Sequence, residues 1–67
     1  MDDGTAFKLI GQTTSLMIGG RRVDGVMVTG NQVCTSGPTY IDLLLPTPVR
    51  EPDRRMRVRI DKVELAP

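Results

Sequence analysis

Arginine at every second position of one short stretch is the feature of this chain with the most chemical reach. Arg55, Arg57 and Arg59 alternate with Met56, Val58 and Ile60, and a period of two puts the two sets on opposite faces of a strand. Guanidinium groups presented in this way can grip phosphates or carboxylates through two parallel hydrogen bonds. Arg21 and Arg22 open another expected strand, and Arg50 and Arg54 lie in or beside a proline-rich stretch. If those strands are neighbours, Arg21, Arg22, Arg55, Arg57 and Arg59 form an anion- or nucleic-acid-contacting stripe. The plainer reading is a solvated face whose charges blunt a sheet edge and pair with nearby acids.

Other chemistry finds few residues to carry it. Histidine, the commonest general base, is absent. Cys34 stands alone between Val33 and Thr35 in an expected strand, where a small, frequently buried sheet residue is the simpler role than a nucleophile. Gly19-Gly20-Arg21-Arg22 lacks the Lys-Ser/Thr pair and the following helix of a phosphate loop. The acids are scattered without metal-ligand spacing. The expectation is therefore a protein that is not an enzyme, with no catalytic residues, metal site, cofactor or small-molecule substrate.

Such residues have to be positioned by a small fold. At 67 residues the chain is a single domain at most, and a domain of that size is marginal in stability. One cysteine allows no intrachain disulfide, the ligands of a structural zinc are missing, and Phe7 and Tyr40 are the only aromatics. Association with copies of itself or with a larger body is the remaining staple. Nine Lys and Arg against eight Asp and Glu give a net charge of +1, too even for a dedicated nucleic-acid tail. No apolar run approaches a membrane span, and Met1-Asp2-Asp3 is the reverse of a signal peptide's basic start. With an unpaired cysteine suited to a reducing compartment, the expected location is intracellular or within a virion, neither secreted nor membrane-spanning.

Turn signals recur every eight to twelve residues, the spacing of an all-β sandwich or barrel. Strands are expected at Ala6–Gln12, Thr14–Ile18, Arg21–Thr29, Gln32–Thr35 and Thr39–Leu45, with turns at Gly19-Gly20, Gly30-Asn31 and Ser36-Gly37-Pro38. Gly25 suggests a bulge or a close backbone approach inside its strand. Arg54–Pro67 reads as one long strand in which Ile60, Val63 and Leu65 slip out of phase, so a β-bulge is expected at Asp61-Lys62. Pro46, Pro48 and Pro52 stiffen the Leu45–Asp53 connection. The fold class is all-β: a small antiparallel barrel or compact sandwich of five to six short strands with little or no helix.

In Thr39–Leu45, Ile41, Leu43 and Leu45 share one face while Tyr40 and Leu44 lie on the other beside Asp42. A strand apolar on both sides is covered twice or sits at an interface, which makes Tyr40, Leu44, Pro46 and Pro48 candidate protein-contact residues. Leu16-Met17-Ile18-Gly19 followed by Gly30-Asn31-Gln32-Val33 resembles fragments of the carbon storage regulators, small dimeric β proteins that bind messenger RNA. The resemblance covers under a third of the chain. Gly11-Gln12 stand where that family carries an arginine pair, and its C-terminal helix has no counterpart here, so no membership follows.

The residues together point to a non-catalytic structural or interaction subunit docked on or within a larger assembly, for example a virion decoration, cement or accessory protein. The expected partner is a protein or further copies of the chain. The alternative is a small β-barrel nucleic-acid binder using the arginine stripe of the C-terminal strand.

Overall fold

The computed structural model describes residues 1–47 and 53–67. One short helix, α1 (Asp3–Leu9), precedes five strands, β1 (Thr13–Ile18), β2 (Arg21–Gln32), β3 (Tyr40–Leu44), β4 (Arg55–Arg59) and β5 (Val63–Leu65). A 3-10 turn over Ile60–Lys62 separates the last two. The strands form one antiparallel sheet in the order β4-β3-β2-β1-β5. The all-β expectation holds. The sheet is open, with no ladder joining β4 to β5.

The first expected strand, Ala6–Gln12, is instead mostly α1. Asp2 is its N-cap, accepting a 2.7 Å hydrogen bond from the Thr5 N–H, the signature of a helix start. Phe7 and Leu9 look like strand alternation in so short a window, but the helix turns Phe7 outward, 70% exposed, and lays Ala6 into the core. The Gly19-Gly20 hairpin forms as expected, with φ of 59° and 84° and Ile18 opposite Arg21.

No turn breaks the chain at Gly30-Asn31. β2 continues to Gln32, and the register shift between Val28 and Gly30 is a bulge within it. The expected strand Gln32–Thr35 therefore reduces to the end of β2. Cys34 lies exposed in the following loop rather than in a strand. A second bulge falls at Asp24-Gly25, where the partners Thr14↔Val26 give way to Leu16↔Val23. Two bulges on one long strand bend and twist it, so β2 carries much of the curvature of the sheet.

The expected long strand Arg54–Pro67 is divided rather than bulged. The phase slip after Ile60 is real, but the 3-10 turn absorbs it and sends β5 to the edge opposite β4. A flat five-stranded sheet would hold its edges ~19 Å apart. The link from Arg59 to Val63 spans at most ~14 Å even fully extended. The sheet must therefore curl until one nearly continuous run serves both edges. Inside the curl lie Ala6, Leu16, Val26, Val28, Ile41, Leu43 and Val63, which form the core.

Two carboxyl groups are held below their ordinary value of 3.8. The Thr5 N–H lowers Asp2, and the Ser15 side chain, then Arg22, lowers Asp24. A depressed folded-state value contributes stability that is present above the unfolded value and lost as pH falls through the folded one. Thermal midpoints should therefore fall as the pH is lowered below about 4. Asp2→Asn, which keeps a capping oxygen but no titrating group, should make that drop shallower. An acid profile of Asp2→Asn superimposable on that of the wild type would remove Asp2 from this linkage.

Candidate functional site: the outer face and free edge of β3 and β4

Register brings the two sets of candidate residues onto one surface. Tyr40 pairs with Arg59, Asp42 with Arg57 and Leu44 with Arg55, and partners across a ladder share a face. Ile41, Leu43, Met56 and Val58 point the other way, where Ile41 and Leu43 are buried and Met56 and Val58 pack against the core. The outer face of β3–β4 thus carries Tyr40, Leu44 and the three arginines around Asp42. Tyr40 is 36% exposed and Leu44 is half-buried, so β3 is covered on its inner side and only partly on its outer side. Pro46 is exposed beside the Gly25 bulge. Pro48 and Arg50 lie outside the described residues.

Arg21 and Arg22 stand apart from this ladder. They start β2 in the segment paired with β1, and they border a cavity of about 280 Å³ with Ile18, Val23, Leu45 and Met56. Arg22 donates from Nε to Asp24 at 3.0 Å and from Nη1 to the Pro67 oxygen at 2.9 Å.

Every arginine of the β4 ladder has an aspartate. Arg57 Nε donates to Asp42 Oδ1 at 2.7 Å, Arg55 Nε to Asp53 Oδ1 at 3.1 Å and Arg59 Nη2 to Asp61 Oδ2 at 3.0 Å. Hydrogen bonding to Asp53 raises the already high Arg55 value. Asp42 also accepts from Gln32 Nε2 at 3.3 Å. An open depression of about 450 Å³ lies over this network, lined by Thr29, Asp42, Leu43, Asp53, Arg55, Met56 and Arg57. These aspartates are the residues that sequence reasoning missed. Asp53 and Asp61 stand two positions from Arg55 and Arg59, a spacing that shares a strand face and was available as a signal. Asp42 opposite Arg57 needs the register.

The backbone of β4 is as informative as its side chains. Ile60 N–H donates to Thr39 C=O at 2.9 Å, and Leu45 N–H to Arg54 C=O at 2.8 Å. Bonded pairs alternate along an antiparallel ladder, so Met56 and Val58 are the β4 residues bonded to β3. Arg55, Arg57 and Arg59 turn their backbone groups outward. Arg55 N–H is capped by Asp53 Oδ1 at 2.9 Å. The N–H groups of Arg57 and Arg59 and the C=O groups of Arg55 and Arg57 face outward with no partner among the described residues.

The edge at β5 is occupied instead. Gly19 N–H donates to Lys62 C=O and Ala66 N–H to Ser15 C=O, which turns Val63 and Leu65 outward. Val63 N–H bonds Ile60 C=O. Val63 C=O accepts from the Met1 ammonium at 2.8 Å, and that ammonium also reaches Ile60 C=O and Glu64.

Cys34 is exposed, its thiol held below the ordinary value by the Ser36 backbone N–H and then the Ser36 hydroxyl. No group of three or more metal-ligating side chains occurs among the described residues. No helix among them is long and apolar enough to cross a membrane. Comparison with protein-family models, curated proteins and solved structures finds no match to this chain.

Proposed function

We propose that this chain is a non-catalytic interaction subunit that docks on or within a larger assembly, with the β4 edge and the adjoining outer face of β3 as its docking surface. The observation that carries the reading is the outward backbone of Arg57 and the outward N–H of Arg59, without partners among the described residues, on an open sheet. Exposed edges of this kind are templates for another strand. Tyr40 and Leu44 add partly exposed apolar surface beside it. A core of seven buried side chains among the described residues, without a disulfide, leaves stability to be gained on docking. A strand added to β4 would carry the curl further toward the closed barrel or layered sandwich that the sequence suggests. Decoration of a virion is one role of this type.

The competing reading is nucleic-acid binding by the arginine stripe. It is weakened because the chain carries a net charge of only +1 and two aromatic side chains, where a dedicated phosphate binder carries a basic surplus.

A photo-crosslinking side chain placed at position 57, with position 36 in the loop as control, tests the proposal in cells that express the chain. A discrete cross-linked product is expected from position 57 alone. Equal, diffuse products from both positions would end the docking reading. Wild-type binding to DNA or RNA that falls by about 0.9 log units per phosphate contact for each log unit of salt, and that is lost in Arg55→Gln/Arg57→Gln/Arg59→Gln, would replace it with the nucleic-acid one.

A further inference from the structure

We propose that the β4 edge receives an extended strand of a different protein that carries carboxylates at alternate positions. The inference rests on the docking reading and names the partner's chemistry.

Backbone geometry selects a strand. The outward N–H groups of Arg57 and Arg59 and the C=O groups of Arg55 and Arg57 form a run of donors and acceptors that a peptide backbone satisfies in register. A phosphate chain has no donors for the carbonyls.

Side-chain charge then selects against this chain itself. A second copy of β4 laid antiparallel on the first sets Arg57 opposite Arg57 and Arg55 opposite Arg59, and like charges directly opposite are destabilising. A parallel copy with its faces matched also sets arginine against arginine. Slipping either arrangement by one residue turns Met56 and Val58 of the second copy to the solvent face. The other edge of a second copy is no better suited, because Val63 already bonds Ile60 and the Met1 ammonium, leaving only the backbone groups of Leu65 outward.

The same charges favour an acidic strand. The side chains of Arg55, Arg57 and Arg59 are 82%, 61% and 52% exposed. Each aspartate contact described above uses one N–H of a guanidinium that has five, so donors remain for a second carboxylate. Residues directly opposite the three arginines would place their side chains on the same outer face. The alternate residues of the incoming strand would lie beside Met56 and Val58, both half-buried, and apolar side chains fit there.

Three fluorescent peptides of equal length test the proposal with the full chain. One alternates Glu with Val, one alternates Lys with Val, and one has the Glu/Val composition with its acids grouped at one end. Anisotropy reads affinity, and amide exchange by NMR reads which N–H groups become protected. The alternating Glu peptide is expected to bind roughly ten-fold tighter than the Lys peptide, the sum of three modest cross-strand pairs. It should also bind tighter than the grouped peptide and slow exchange at Arg57 and Arg59 but not at Leu65. Arg57→Glu/Arg59→Glu should reverse the preference between the Glu and Lys peptides. Equal affinity for all three with protection at Arg57 and Arg59 would overturn the acidic partner and leave edge docking standing. Light scattering that shows self-assembly through β4 would do the same, with a second copy as the partner. Absence of protection by any peptide would overturn the inference, while cross-linking from position 57 judges docking independently.

Discussion

Leu16→Ala should remove most of the protein's stability at 25 °C. Leu16 is fully buried and lies in β1 between Val23 of β2 and Leu65 of β5. Truncating such a leucine removes its transfer free energy and leaves a cavity, together costing about 3 kcal/mol. A single core of this size rarely supplies more than ~3–5 kcal/mol in total. The neighbouring Met17, half-buried on the opposite face, is the control. Met17→Ala should cost under about 1 kcal/mol. Urea titrations followed by far-ultraviolet circular dichroism would decide it. Equal midpoints for the two variants would mean that the curl does not close over Leu16.

The second large effect is expected at the β2 bulge. Gly25 has φ of 73°, a conformation that costs an L-residue about 1–2 kcal/mol and is a pronounced outlier for a β-branched one. Space is not the obstacle, because an added Cβ would sit 3.6 Å from Pro46 Cβ, an ordinary contact. Gly25→Val should therefore destabilise by about 2 kcal/mol through torsion alone. Gly25→Asn should cost clearly less, since asparagine visits left-handed conformations more readily. The comparison separates torsion from crowding. If the two variants lose equal stability, contact with Pro46 rather than backbone conformation sets the requirement for glycine.

What was legible in the sequence follows from the range of the interactions. The Gly19-Gly20 hairpin, the Gly25 bulge, β1 and β3 are local or period-two signals, and all appear where the residues put them. α1 was misread because seven residues hold barely two helical turns, and Phe7 and Leu9 imitate strand alternation over that span. Asp2 as a capping residue, with Asp3 in the first turn, was the cue that favours helix. Gly30-Asn31 is a turn dipeptide by composition, yet pairing of Gly30 with Asp42 and Asn31 with Ile41 holds it inside β2, just past the bulge at Thr29. The slip after Ile60 located a real irregularity, but a bulge and a strand break give the same change of phase. Only the pairing of β5 with β1, which lies far away in the chain, distinguishes them. Among the candidate site residues, the arginine ladder was legible and its neutralisation by Asp42 was not, for the same reason.

The division of the C-terminal run between two edges also bears on the order in which the protein can be completed. Three of the four ladders join strands that follow one another in the chain, β1 to β2, β2 to β3 and β3 to β4. The fourth sets Leu16 against Leu65, the two most distant in sequence, and its closure carries the largest entropy cost of the four. The three sequential ladders can therefore form before β5 closes on β1. Throughout that interval β1 lacks its outer neighbour, and Leu16 has no Leu65 beside it. Until β5 docks, the sheet has two open flanks, and the pairing of Val63–Leu65 with β1 covers one of them and leaves β4 as the open strand among the described residues.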